Sequence, residues 1–195
     1  LVIEEDDDLI GAAISRNGDE ILLSTKLGMA CRFDQNDDQI RPMGRTAVGV
    51  RGIKLREGDY VVGAARARVG GTLLSVTENG YGKRTPIEEY VRGGGEPQHR
   101  GGKGMRGYNC TEKTGKVADC KVVDETDDIL IISDDGTIIR MAVDGISTYG
   151  RATQGVRLMR VSEGSRVISI ARTEKEEAEE TAETAEAVRE TFSAY

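Results

Sequence analysis

Three segments of the chain run from apolar, β-favouring residues into a glycine and then, four residues on, into an arginine. They are ILLSTKLGMACR from Ile21, LLSVTENGYGKR from Leu73 and ILIISDDGTIIR from Ile129. Their glycines, Gly28, Gly80 and Gly136, are 52 and 56 residues apart, and their arginines are Arg32, Arg84 and Arg140. Each apolar run predicts a strand and each glycine a turn into a second strand. Asn79-Gly80 and Asp135-Gly136 predict type I′ hairpins, the turn whose twist matches two antiparallel strands.

A second pattern follows each hairpin at similar spacing. GRTAVGVRG at 44–52, HRGGKGMRG at 99–107 and GRATQGVRL at 150–158 share an arginine, three residues, a glycine, an apolar residue and another arginine. The positions are Arg45, Gly49 and Arg51; Arg100, Gly104 and Arg106; and Arg151, Gly155 and Arg157. A short apolar run closes each unit: VVGAAR at 61–66, CKVV at 120–123 and VISIAR at 167–172. Four short strands in about 50 residues, repeated, predict an all-β, propeller-like array of about three four-stranded blades. One small sheet cannot cover its own faces, so neighbouring blades must stack. The expected blades are approximately 8–68, 69–124 and 125–172, within one domain over 1–172. Three blades leave the ring partial.

Composition agrees with a turn-rich β protein, with 25 glycines against 3 prolines and few aromatics. The net charge of −7 changes meaning once it is divided along the chain. EEDDD at 4–8 carries −5 and residues 173–195 carry −6, so the intervening body is +4. The acidic segment 173–195 has good helix formers but no sustained apolar stripe, which predicts a solvated, disordered or helical tail. As an attached polyanion it can compete with an anionic ligand for the basic body.

Cys31, Cys110 and Cys120 are odd in number and lack CxxC spacing, so free thiols are expected rather than a disulfide framework or zinc site. No apolar stretch reaches bilayer-spanning length and the first residues are acidic, which predicts a cytoplasmic protein with no membrane partner.

Cations repeated in register suit a polyanion, because many phosphate contacts with counterion release can offset the cost of bending stiff duplex. The candidates are Arg32, Arg84 and Arg140 after the turns and Arg45, Arg100 and Arg151 opening the second pattern, reinforced by Arg51, Lys54, Lys83, Lys103, Arg106 and Arg157. Gln98, His99, Gly101, Gly102 and Gly104 complete the middle tract, whose glycines let backbone amides approach a phosphate. Singly, such arginines are ordinary solvated strand residues and the tract an ordinary surface loop. Registered repetition favours the ligand reading. His99 has no second catalytic group placed beside it, Gly104 stands where a P-loop needs Ser or Thr, and none of the six tyrosines has a nucleophile's setting, so no catalytic or metal site is assigned.

QHRGGKG at 98–104 resembles the glycine-and-arginine box of the DNA gyrase A C-terminal domain. VTENGYGKRTPIEEY at 76–90, GVRGIKLREGDYVV at 49–62 and GRATQGVRL at 150–158 are similar to blade sequences of the same family. The resemblance covers about 8–172. It departs in reading His99 where the family has Arg, and in placing the box in the middle repeat rather than the first blade. What the resemblance implies is a six-bladed β-pinwheel with a basic rim that wraps double-stranded DNA, here its last three blades and an acidic tail. It implies support of ATP-dependent negative supercoiling by an assembly of two gyrase A and two gyrase B proteins at the nucleoid. The partners are then duplex DNA, the rest of gyrase A and gyrase B, with ATP and magnesium acting outside this chain. Two alternatives are the DNA-gripping counterpart in topoisomerase IV and a protein-interaction propeller.

Overall fold

The computed structural model describes residues 3, 5 and 7–175. Its strands are β1 (Glu20–Thr25), β2 (Met29–Asp34), β3 (Val61–Ala67), β4 (Thr72–Thr77), β5 (Tyr81–Pro86), β6 (Met105–Arg106), β7 (Val117–Val123), β8 (Asp127–Ser133), β9 (Ile138–Ala142), β10 (Val156–Arg157) and β11 (Val167–Glu174). Two single 3-10 turns, Ile87–Glu89 and Val143–Gly145, are the only helical residues among those described. The all-β reading holds. The strands form three antiparallel sheets in the orders β3-β1-β2-β6, β7-β4-β5-β10 and β11-β8-β9.

Each predicted hairpin is present, but its turn is not type I′. The amides of Gly28, Gly80 and Gly136 close onto the carbonyls of Thr25, Thr77 and Ser133, three residues earlier. Among the described residues none other than glycine has positive φ, so Asn79 and Asp135 do not take the left-handed conformation that type I′ requires. The connections are three-residue loops ending in a left-handed glycine, with φ of 80°, 76° and 83°.

The fourth strand of a sheet comes from the next repeat. β6, from the middle box, pairs with β2 through Met29↔Arg106 and Ala30↔Met105. β10, from the third box, pairs with β5 through Val156↔Gly82 and Arg157↔Tyr81. The third sheet accordingly has three strands rather than the expected four, because among the described residues no further box reaches β9. This exchange explains the box spacing. A Cβ on Gly104 would lie 2.6 Å from the Ala30 carbonyl oxygen, and one on Gly155 2.3 Å from that of Gly82. Glycine lets one backbone lie against the next.

The cores lie between sheets. Along β4, Leu73 faces the first sheet, in a cluster with Leu22, Ile87, Tyr90 and Tyr108, while Leu74 and Val76 join Ile129, Ile131, Val143 and Ile170 of the third. Successive strand residues point to opposite faces, so one strand glues both neighbours. A third cluster, Met29, Cys31, Phe33 and Ile53, covers the other face of the first sheet. All three cysteines are free, and Cys31 and Cys120 are buried. β11 runs past the expected boundary at 172, with Thr173↔Asp128 and Glu174↔Asp127. Residues 176–195, and with them the expected acidic tail and its competition for the basic body, lie outside the described residues.

Candidate nucleic-acid interface

The hairpin arginines do not form the interface that their register suggests. Arg32 is 7% exposed, with Nε donating to Glu20 at 2.7 Å and Nη1 to the Ile87 carbonyl at 2.9 Å. Arg84 is 5% exposed, with Nε donating to the Ile146 carbonyl at 2.7 Å and Nη1 3.3 Å from Glu125. Both arginines bind a carbonyl at the 3-10 turn of a neighbouring segment, so their charge holds the fold together. Arg140 instead pairs within its own sheet, with Asp128 at 2.8 Å and the Glu174 carbonyl at 3.0 Å.

Lys83 is also corrected from candidate contact to internal clamp. Its fully buried Nζ donates to the carbonyls of Gly150 (2.7 Å) and Arg151 and to Thr153 Oγ1 (3.1 Å), and lies 5.1 Å from the Tyr108 ring centroid. Burial, opposed by the Glu89 carboxylate, lowers its pKa from 10.5 to about 8. A cation with a lowered native pKa binds its proton more tightly in the unfolded chain, so its contribution makes stability rise with pH between those two values. Burial raises Cys31 and Cys120 to about 11, which acts in the opposite sense above the ordinary thiol range. Lys83→Met is therefore expected to remove one rising component of the pH profile while leaving the thiol component. The check is the difference between the two proteins in urea midpoint from about pH 7.5 to about pH 10. An unchanged profile rejects the clamp's lowered pKa.

The boxes contact one another in sequence. The half-buried Arg100 donates through Nη1 to the carbonyl of Arg51 at 3.3 Å, and Arg151 donates through Nη1 to that of Arg106, also at 3.3 Å. Arg100 is further held by its amide to Gln39 Oε1 at 2.9 Å, and Arg151 by its amide to Glu89 at 3.1 Å. The glycines of the middle tract likewise serve the protein. Gly101 N donates to the Gly52 carbonyl at 2.6 Å and the Gly102 carbonyl accepts from Lys54 N at 2.8 Å, so these groups bind the preceding box rather than a phosphate. Gln98 is buried, and its amide donates to the Arg32 carbonyl at 2.7 Å. His99 is exposed, its carbonyl 3.8 Å from Cys31 Sγ.

The arginine that ends each box remains available. Arg106 and Arg157 lie on the outermost strands of two adjacent sheets, and Arg51 holds the same place in the first box. All three are exposed, as are Lys54 and Lys103, and among the described residues none of the five has an ion-pair partner. Arg45 is exposed and has a partner. Through the Arg100 and Arg151 links, Arg51, Arg106 and Arg157 form one ordered series from box to box. Sequence reasoning passed over Arg160, exposed three residues after Arg157 as Lys54 is after Arg51, and Lys113, exposed in the loop that follows β6. Register to the box's last arginine is the signal that finds Arg160. No helix among the described residues is long and apolar enough to cross a membrane, and no group of His, Cys, Asp and Glu among them is placed to hold a metal.

Comparison with known proteins agrees with this architecture. A family model described as DNA gyrase C-terminal domain, beta-propeller, matches residues 19–68, 71–124 and 127–174. The DNA gyrase A protein of Staphylococcus epidermidis (strain ATCC 12228 / FDA PCI 1200) is 42% identical over 176 residues, covering 89% of this chain and 19% of that protein. That of Staphylococcus aureus (strain MRSA252) is 42% identical over 174 residues, covering 88% and 19%. The chain thus spans about a fifth of the length of these relatives. A solved DNA gyrase A C-terminal domain superposes with a TM-score of 0.78 at 28% identity, over 88% of this chain and 56% of that one. The C-terminal domain of a DNA topoisomerase IV superposes at 0.80 over 97% of this chain and 57% of that one; at 23% identity it bears on the fold alone.

Proposed function

The chain belongs to the family of DNA gyrase C-terminal β-propeller domains, and from that premise we propose that it binds duplex DNA along its outer edge and bends the duplex around itself. The observation that carries the proposal is the series Arg51, Arg106 and Arg157, exposed, without ion-pair partners among the described residues, and joined box to box by Arg100 and Arg151. Cations repeated from box to box meet a polyanion at intervals along its length. Each contact releases condensed counterions, and together they offset a bending cost on the order of 1–6 kcal/mol for a short site.

The series reads phosphates rather than base edges, so affinity is expected to vary little with sequence. As part of a gyrase A protein, the module would present a bent segment to strand passage. Gyrase B, ATP and magnesium would act outside this chain, in an assembly at the nucleoid.

The test is topological. The purified chain is bound to relaxed circular DNA, a nicking-closing enzyme is added, and the linking-number distribution is read after deproteinisation. A shift that grows with protein concentration is expected. Binding without a shift would mean that the module grips but does not wrap, and absence of binding would favour a protein-interaction propeller.

A further inference from the structure

The box arginines are not equally placed. Arg157 Nη2 donates to the Tyr81 hydroxyl at 2.7 Å, and its guanidinium carbon lies 5.1 Å from the Tyr81 ring centroid. Lys113 Nζ lies 5.4 Å from the same centroid. Tyr81 itself is 7% exposed while both cations are exposed, so a nearly buried ring orders two charges that stand in solvent. The cations come from separate segments, β10 and the loop between β6 and β7. Asn79, in the hairpin turn beside Tyr81, fixes that loop by donating from Nδ2 to the carbonyls of Glu112 and Lys113, each at 3.1 Å.

Two cations held around one aromatic ring repel one another, and a carboxylate beside them is the ordinary structural remedy. Among the described residues neither Arg157 nor Lys113 has an ion-pair partner, and Glu112, next to Lys113 in sequence, pairs with neither. The ring's π electrons offset part of that repulsion, and an anion bound to both cations would remove more. The arrangement occurs once. Met29 and Thr137 occupy the position equivalent to Tyr81 after the other two turn glycines.

We infer that Tyr81, Arg157 and Lys113 form a discrete phosphate-binding site on the second sheet, with Tyr81 as the positioning residue and a duplex phosphodiester as the ligand. The site rests on the DNA-binding reading for the identity of its ligand, and on its own geometry for its affinity for phosphate. It anchors one phosphate at a fixed place on the edge. The remaining cations of the series follow the backbone more loosely.

The test uses the full chain with two probes, a labelled duplex of about 40 base pairs titrated across salt concentration and inorganic phosphate followed by side-chain NMR of Arg157 and Lys113. Lys113→Gln with Arg157→Gln is expected to lower the salt slope of log affinity by about 0.9, the share of the one phosphate that the site holds. Tyr81→Leu removes no charge, yet is expected to lower the slope and weaken duplex binding about fivefold, because two cations lose their order. Reduced folding alone would lower the active fraction and leave the slope. Lys113→Gln, in an exposed loop, guards against misfolding, and Arg166→Gln, which loses an exposed ion pair with Asp134, is the neutral control.

A wild-type chain that binds duplex with a slope none of these site variants changes overturns the site and leaves the DNA reading standing. Phosphate-induced shifts at both side chains without duplex binding uphold the site and overturn the DNA reading. Neither response overturns both.

Discussion

Gly155→Ala is expected to cost about 3–5 kcal/mol of unfolding free energy, at the upper end of what one substitution does. Its φ is +67°, where an added Cβ costs about 1–2 kcal/mol by itself. The larger cost is contact, since that Cβ would lie 2.3 Å from the Gly82 carbonyl oxygen and 2.7 Å from its carbon. Neither atom belongs to a flexible side chain. Relief requires β10 to leave β5, and β10 is held by only two register pairs, Val156↔Gly82 and Arg157↔Tyr81. Gly136→Ala is the matched control, because its φ is +83° and nothing lies within 4 Å of the added carbon. The control is expected to lose only the conformational cost. Urea midpoints at constant m separate the two, and equal losses would show that box docking does not depend on backbone approach at this glycine.

The same pair of glycines shows what was legible in the sequence. Gly28, Gly80 and Gly136 marked three hairpins correctly, because a left-handed residue at a strand reversal is a local requirement. The runs 61–66, 120–123 and 167–172 were legible as strands for a similar reason, being short and apolar between turns. The arginine four residues after each glycine was legible as a pattern and misread as to purpose. A cation in register on a strand reads alike whether it meets solvent or a carbonyl of a distant segment. Arg84 meets Ile146, 62 residues away, and no local pattern encodes that partner. The box glycines were misassigned for the same reason: Gly104 lies against Ala30 of the preceding repeat, so its role emerges only once strands are exchanged between sheets. The last arginine of each box differs because its side chain stays exposed, even where, as in Arg157, it meets a distant ring at Tyr81. Placed on the outermost strand by the exchange, Arg106 and Arg157 stay in solvent.

That difference sets the second large effect. Replacing Arg51, Arg106 and Arg157 together by Gln is expected to lower the salt slope of log affinity for duplex by about 2.7, three contacts at about 0.9 each. Between about 50 and 200 mM salt this removes about 40-fold of the affinity loss that the wild-type chain suffers, and low-salt binding weakens for every duplex sequence alike. Folding should change little, since all three side chains are exposed, none has an ion-pair partner among the described residues, and of their side-chain contacts only that of Arg157 with Tyr81 is lost. Arg84→Gln is expected to do the reverse. It strips a buried charge from the Ile146 carbonyl and from Glu125, lowering the urea midpoint while the slope of the folded fraction stays at the wild-type value. Two arginines of one repeat pattern thus become separable, one reporting on counterions and the other on cohesion between sheets. A triple variant that keeps the wild-type slope would move the DNA path off the last arginines of the boxes. The cations of the loops after each box, Lys54 and Arg160 among them, would then be the next surface to test.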